Sequence, residues 1–232
     1  MPIILAIETS SENASVALWR DGDLASRSAS GVATHSQLIL PLLQALLAEA
    51  GLRVGDCDAI AYGAGPGSFT GVRTACGIAQ GLGFGAGRPV IPVDTLAAMA
   101  LACHQHTAAQ SVLALLDARM GEVYWGQYAF LPMIQVQTAP TLSSPPTVGG
   151  HDSQAACGNA LLAYADSLPT SATVRSLHPA VMPHAGQIAA LAVQAFERGE
   201  AIDPRQARPI YLRNQVALTT AQRRDQAIKA AA

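Results

Sequence analysis

The chain has 232 residues, of which 50% are hydrophobic, 13% are charged and 5% are aromatic, and its formal net charge is −2. A chain of this size buries roughly 70% of its unfolded surface, so it needs no disulfide or metal to fold, and its charge argues against autonomous nucleic-acid binding, which needs a basic stripe. The composition is typical of an Ala/Leu-rich α/β protein, and a chain with so few charges must hide apolar area somewhere, for which a partner protein is one place.

The cysteines and the N-terminus indicate a reducing compartment. Four widely spaced cysteines form no Cys-x-x-Cys pair, a distribution typical of buried thiols rather than of metal ligands or disulfides. They are Cys57, Cys76, Cys103 and Cys157. Met1 runs directly into an apolar strand without a basic segment or cleavage site, so we expect no signal peptide and a cytoplasmic location.

The first 51 residues predict an antiparallel meander followed by a helix. Strands are expected over 3–10, 15–19 and 24–30. Thr34 and Gln37 form a capping box for a helix that runs to about Ala50 and ends at Gly51. Its apolar residues form two adjoining stripes, more than a surface helix normally buries, so one stripe is expected to face another chain. One stripe is Ile39, Leu43 and Leu46, and the other is Leu38 and Leu42.

A glycine-rich region follows, with a strand over 58–62, a turn, and a helix over 68–86. This geometry presents backbone N–H groups to an anion. It is not a P-loop, because Lys229 is the only lysine, and the spacings that end at Ser68 and Thr70 lack the third glycine of a dinucleotide motif. The alternative is that the glycines serve a tight turn and close helix packing.

Small residues recur at every fourth position of the predicted helix 68–86. Gly67, Gly71, Ala75 and Ala79 form one set, and Gly77, Gly81 and Gly85 form another. Each glycine costs about 0.8–1 kcal/mol relative to alanine in a helix interior, so a neighbour is expected to pack against these faces. The pattern leaves open whether that neighbour belongs to the same chain.

The second half repeats the opening pattern. A strand over 89–93 and a helix from Asp94 complete the first half. Strands over 111–117 and 122–130 then form a second hairpin, and Asp117 ends its first strand as Glu8 ends the first strand of the chain. We therefore expect lobes over 1–105 and 106–213, with 214–232 returning to the first. Residues 131–150 read as loop and degenerate edge structure, 160–167 and 185–198 as helices, and 204–213 as extended chain.

Two lobes that each open with a hairpin resemble the actin-like (sugar kinase/Hsp70/actin) fold. Four segments narrow the resemblance to the TsaB family, also called YeaZ. They are Ile7-Glu8-Thr9-Ser10, Gly65-Pro66-Gly67-Ser68-Phe69-Thr70-Gly71-Val72-Arg73, Asp117-Ala118-Arg119-Met120-Gly121-Glu122-Val123-Tyr124 and Tyr211-Leu212-Arg213. They occur in the family's order and spacing, and the resemblance is weakest over 131–180 and in the tail.

The resemblance implies a bacterial cytoplasmic subunit of the machinery that forms threonylcarbamoyladenosine at position 37 of ANN-decoding tRNAs. Its partners would be TsaD, which carries the metal and transfers the threonylcarbamoyl group, and the small ATPase TsaE. The subunit itself would be a scaffold without catalytic activity. ATP, ADP and metal would belong to the assembled complex, tRNA would be contacted through it, and the free protein would bind no cofactor and form a homodimer.

The residues agree with a lost active site. No two of the six histidines lie four apart, as a helical metal pair requires, so no metal site is expected. Glu8 and Asp117 end their strands where an actin-like kinase holds Mg²⁺, but Arg73 and Arg119 are the nearest phosphate clamps. The vestigial nucleotide or complex site predicted here comprises Glu8, Thr9, Ser10, Gly65, Gly67, Ser68, Arg73, Asp117 and Arg119.

Three functions remain in competition. The first is a non-catalytic subunit whose helices 34–50 and 68–86 bind the partner through Leu38, Ile39, Leu42, Leu43, Leu46, Gly71, Gly77 and Gly81. The second is an autonomous actin-like ATPase or small-molecule kinase that uses Glu8, the loop 65–71 and Asp117. The third is the glycoprotease activity once attached to relatives of TsaD, which requires a metal for which the sequence offers no recognisable site.

Overall fold

A computed structural model of the chain describes residues 1–30, 35–149, 152–169 and 174–213. Within these ranges the strands are β1 (Ile4–Glu8), β2 (Asn13–Arg20), β3 (Asp23–Ser30), β4 (Ala59–Gly65), β5 (Val90–Asp94), β6 (Ser111–Arg119), β7 (Glu122–Phe130), β8 (Ile134–Ser143), β9 (Ala155–Cys157) and β10 (Ser176–His178). The helices are α1 (His35–Ala50), α2 (Phe69–Ala86), α3 (Thr95–Thr107), α4 (Ala160–Ala163) and α5 (Ala185–Glu197).

The two five-stranded sheets have the same topology. The first has the order β3-β2-β1-β4-β5 and the second the order β8-β7-β6-β9-β10. In each sheet the first three strands pair antiparallel, and the last two are added parallel to the first strand of the hairpin. This duplication confirms the two predicted hairpins and the actin-like fold class.

The sheets and helices alternate in layers, and the strand pleat explains how. Successive strand residues point to opposite faces, so Leu5 and Ile7 of β1 pack against α1 and α2, whereas Ile4 and Ala6 face a second core. That second core contains α3, α5 and inward-facing residues of both sheets. The outer face of the second sheet packs against α4 and Val148. The central apolar cluster therefore belongs to both halves of the chain.

Helix α5 shows that no single boundary in the sequence separates the two halves of the molecule. It lies in the region predicted as the second lobe, yet it packs against β1, β2, β4 and β5 of the first sheet. Ile202 then forms an antiparallel bridge with Val90. The return to the first sheet thus begins near residue 185, because α5 fills the apolar face that the first sheet turns towards the second. The predicted tail, 214–232, lies outside the described residues.

Three predicted elements have different bounds. Strand β4 continues to Gly65 because a strand buried on both faces tolerates glycine where another group approaches closely. Residues 131–150, predicted as loop and degenerate edge structure, contain the ten-residue strand β8, whose edge position tolerates Pro140. The helix predicted over 160–167 is confined to Ala160–Ala163. The capping residue Thr34 lies outside the described residues.

Helix α1 buries one of its two predicted stripes. Ile39, Leu43 and Leu46 are 0–3% exposed and belong to the chain's own core. Their assignment to a partner interface is therefore corrected, since the first sheet already covers them. Leu38 and Leu42 are half-buried. None of the helices in the described part of the chain has the length and hydropathy that a membrane crossing requires.

Candidate functional site

A cavity of about 780 Å³ opens between the ends of the two duplicated hairpins. Most of its wall comes from four segments: 10–12 after β1, 67–73 at the start of α2, 116–120 at the end of β6, and 210–213 near the end of the described chain. The structure brings six of the nine predicted residues to this cavity, which we call the interlobe cleft. They are Ser10, Gly67, Ser68, Arg73, Asp117 and Arg119.

Glu8 lies below the cleft and does not line it. The side chain is fully buried, and burial raises the pKa of its carboxyl to about 7. The backbone N–H of Ser10 donates to Oε1, while Oε2 has no hydrogen-bond partner. Oε2 rests on Gly63, where an added Cβ would overlap it. The glycine at 63 therefore makes room for the carboxyl group.

Thr9 and the first glycines of α2 join the helix to the loop after β1. The Thr9 hydroxyl donates to the Gly71 carbonyl at 2.7 Å, and the Ser68 N–H donates to the Ser10 carbonyl at 2.7 Å. A Cβ on Gly71 would overlap the Thr9 carbonyl. Gly71 is thus buried within the chain, and its assignment to a partner interface is corrected. Gly65, at φ +108°, lies beneath the cleft against the Ile210 carbonyl.

Asp117 occupies the position in the second sheet that Glu8 occupies in the first, but unlike Glu8 it forms an ion pair and several hydrogen bonds. Its Oδ2 lies 3.1 Å from Nη1 of Arg119, and its Oδ1 accepts from the Tyr164 hydroxyl at 2.8 Å. Its backbone N–H donates to Oδ1 of Asn159 at 2.9 Å. The carboxylate is therefore committed to the protein's own donors.

Arg73 lines the cleft and packs against aromatic side chains. Its guanidinium carbon lies 3.7 Å from the centroid of the Phe69 ring, and Nε donates to the Tyr211 hydroxyl at 2.7 Å. Sequence reasoning missed Phe69, Asn159 and Tyr164 as site residues. Phe69, like Tyr211 and Arg213, lies in a segment that carries the family resemblance, so the sequence held a signal for these three residues.

A second surface lies on the outer face of α2. Gly77, Gly81 and Gly85 are exposed, and an added Cβ at any of them would meet no atom within 4 Å. Phe84, 59% exposed, lies beside them. The glycines at 67 and 71 serve close packing inside the chain, whereas this set, which we call the open glycine face, has no neighbour in the described structure.

Two of the described histidines, His104 and His184, stabilise the fold. His104 stacks on Phe130 with ring centroids 4.1 Å apart, and its Nδ1 bonds to the Ala109 carbonyl at 2.8 Å. His184 caps α5 through Nδ1. Within the described ranges, no three His, Cys, Asp or Glu side chains are grouped so as to hold a metal ion.

Comparison with known proteins assigns the family. The tRNA threonylcarbamoyladenosine biosynthesis protein TsaB of Escherichia coli is 39% identical over 92% of this chain and 96% of its own length. The chain belongs to the TsaB family. The TsaB of Haemophilus influenzae is 36% identical over 92% of this chain and 94% of its own. The solved structure of YeaZ from Pseudomonas aeruginosa matches 91% of this chain and the whole length of YeaZ. The two chains are 38% identical, and the TM-score is 0.85.

A family model adds a relationship to the transferase. Residues 27–146 match the family described as TsaD, tRNA N6-adenosine threonylcarbamoyltransferase. This segment contains α1, α2 and the second hairpin. This chain thus shares sequence features with the TsaD family over the region that holds the open glycine face.

Proposed function

We propose that this chain is a non-catalytic subunit of the assembly that forms threonylcarbamoyladenosine at position 37 of ANN-decoding tRNAs. It binds a TsaD-type transferase and supports it together with a TsaE-type ATPase. Metal and ATP or ADP belong to the assembled complex, and tRNA is contacted through that complex. The free protein binds no cofactor. The membership in the TsaB family supports the pathway, and the site geometry supports the role.

The open glycine face is the observation that carries the partner-binding role. Each of the three exposed glycines on this helix face lowers helix stability by about 0.8–1 kcal/mol relative to alanine. In the described structure no atom lies within 4 Å of the place where their side chains would be. Their lack of side chains lets a helix of another chain approach closely. Leu40, Leu42 and Phe84 add partly or fully exposed apolar surface on α1 and α2.

Relationship to TsaD supports the choice of partner. Two chains that share a fold over α1 and α2 can pair these helices about a pseudo-two-fold axis, as in a four-helix bundle. The interface would bury on the order of 800 Å² per partner, the usual size for a specific complex. In the absence of the transferase, two copies of this chain pair through the same helices and form a homodimer.

The strand-end acids support the lack of catalytic activity. A kinase of this fold needs carboxylates that reach Mg²⁺ and phosphate in the cleft. Glu8 is buried below the cleft with a pKa of about 7, so a large fraction of it is protonated at neutral pH. Asp117 is held by Arg119, Tyr164 and its own backbone neighbours.

Reconstituted tRNA modification tests the proposal. We expect modification by TsaD- and TsaE-type proteins to require this chain and to persist, within about twofold, when it carries Glu8→Gln or Asp117→Asn, because neither side chain acts on substrate. If Asp117→Asn abolishes modification while the complex still assembles, the chain is catalytic and the proposal fails.

The rival function is an autonomous actin-like ATPase or kinase, which the interlobe cleft alone favours. Calorimetry of the isolated protein with ATP, with and without Mg²⁺, distinguishes the two. Mg²⁺-dependent micromolar binding accompanied by turnover would establish the kinase, whereas the absence of turnover agrees with the scaffold.

A further inference from the structure

The interlobe cleft has the size and walls of a small-molecule site. Its volume of about 780 Å³ falls within the roughly 300–1,000 Å³ of ligand pockets. Most of the wall is apolar or aromatic. Its apolar and aromatic members include Phe69, Val72, Leu116, Met120, Tyr124 and Tyr211.

The wall formed by residues 204–213 ties the cleft to both sheets. The Ile210 N–H donates to the Ala64 carbonyl at 2.7 Å, and the Tyr62 hydroxyl bonds to Arg208 on the first-sheet side. Arg213 reaches the second sheet, where it pairs with Glu122 and donates to the Ala118 carbonyl at 3.1 Å. The cleft therefore has a fixed wall on this side, and Tyr211 is held over it.

Among the cleft arginines, Arg73 is the one without a carboxylate partner in the described part of the chain. Arg119 pairs with Asp117, and Arg213 pairs with Glu122. Among the described residues, no carboxylate lies within ion-pair distance of Arg73. Its Nε bonds to Tyr211, and its two terminal nitrogens make no hydrogen bond within the described structure. A guanidinium edge with free donors is suited to bidentate binding of a carboxylate or phosphate.

Two further features point to an anion with a planar body. At the start of the 18-residue helix α2, the Gly71 N–H donates to the Ser68 side chain, whereas the N–H groups of Phe69 and Thr70 have no acceptor within the helix. Phe69 and Tyr211 flank the Arg73 guanidinium and are 51% and 46% exposed, so they offer ring faces towards solvent and cleft. Exposed rings of this kind stack with planar ligands.

We infer that the interlobe cleft binds a small organic anion, in which a carboxylate or phosphate is held by Arg73 and the N-terminus of α2 and a planar body lies against Phe69 and Tyr211. The ligand is bound without covalent change, because Glu8 is outside the cleft and Asp117 is committed to its own donors. The site lies at the N-terminal end of α2, and its Arg73 is one helical turn from Gly77, the first residue of the open glycine face.

Titration of the full-length protein with 1-naphthyl phosphate tests the site. 1-Naphthol and inorganic phosphate separate the contributions of the ring and the anion, and 1-naphthoate separates carboxylate from phosphate. We expect 1-naphthyl phosphate or 1-naphthoate to bind about tenfold or more tightly than either 1-naphthol or phosphate. Backbone NMR shifts should change over 67–73, 117–120 and 210–213.

Arg73→Gln is the test variant, and Arg205→Gln is its matched control. Arg205 also lies over an exposed phenylalanine of α2, Phe84, but outside the cleft. We expect Arg73→Gln to weaken binding about tenfold or more and Arg205→Gln to leave it unchanged, with both variants melting at the wild-type temperature. The inference would be overturned if wild type and Arg73→Gln bound 1-naphthyl phosphate equally, or if 1-naphthol bound as tightly as 1-naphthyl phosphate. NMR shift changes outside the three segments, or no saturable binding, would also overturn it.

Discussion

Glu8 shows how one buried side chain makes the protein's stability depend on pH. Burial raises the pKa of its carboxyl from 4.5 to about 7, and the hydrogen bond from Ser10 offsets only part of that effect. Because the unfolded chain loses this proton at a lower pH than the folded chain does, the free energy of unfolding falls as pH rises from about 4.5 to about 7. Asp94, whose pKa burial raises to about 6, acts in the same direction.

We therefore predict that Glu8→Gln stabilises the protein at neutral pH. The pKa change corresponds to about 3 kcal/mol, of which Gln, with the same shape and no charge, should recover a large part. Urea unfolding at about pH 5 and about pH 8 measures the effect. The gain should be large at the higher pH and small at the lower one. A gain independent of pH would show that the charge on Glu8 is not the cause.

Helix α2 shows how one residue type serves two purposes within a single element. Gly71 lies where a side chain would strike the rigid backbone of Thr9, whereas Gly77 has open space around it. The repeat of small residues every fourth position predicted both faces. It could not tell which face was internal, because periodicity gives the spacing of a face and not its neighbour.

The same substitution at these two positions should have opposite effects. Gly71→Ala should destabilise the protein by about 1–3 kcal/mol or more through overpacking. Gly77→Ala should stabilise the isolated protein by up to ~1 kcal/mol through helix propensity. Thermal melts at several protein concentrations measure both changes and reveal any contribution from dimerisation. Destabilisation of the isolated monomer by Gly77→Ala would mean that the open glycine face is packed in solution.

Other elements were predictable to the extent that their pattern was local. The hairpins, α1 and α5 follow local sequence patterns, and Asp94 marks the start of α3 as its capping residue. Strand β8 was missed because its proline, serine and two threonines are typical of a loop, and an edge strand tolerates them. The three-residue strands β9 and β10 owe their form to pairing, β9 with β6 and β10 with β9, rather than to their own sequences.

At the scale of the whole molecule, the duplicated sheets share a core and enclose a cleft. The central cluster includes side chains of both sheets, and the buried Tyr128 of the second sheet bonds to Asp94 of the first. Two parts of the cleft region could be predicted, the acidic residues at or near the ends of β1 and β6 and the start of α2, because local sequence motifs mark them. Tyr164 and Asn159 could not, because they reach Asp117 from more than 40 residues away in the chain.

The shared core predicts a single cooperative unfolding transition. The protein has two tryptophans, Trp19 in the first sheet and Trp125 in the second. Trp125→Phe leaves a reporter in the first sheet, and Trp19→Phe leaves one in the second. In each variant the fluorescence transition should coincide with that measured by circular dichroism. If one variant's fluorescence midpoint lay below the circular dichroism midpoint and the other's lay above it, the two halves would unfold separately.

The most direct test of the central claim is the affinity of this chain for the TsaD-type transferase of the same organism, measured by calorimetry for wild type and Gly77→Arg. Ala163→Arg is the control, since it adds the same charge to an exposed helical site in the second half of the chain. We predict that Gly77→Arg weakens binding about thirtyfold or more, as expected at the centre of an interface, while circular dichroism and the melting temperature stay at wild-type values and the control binds normally. A folded Gly77→Arg protein with wild-type affinity would contradict the account.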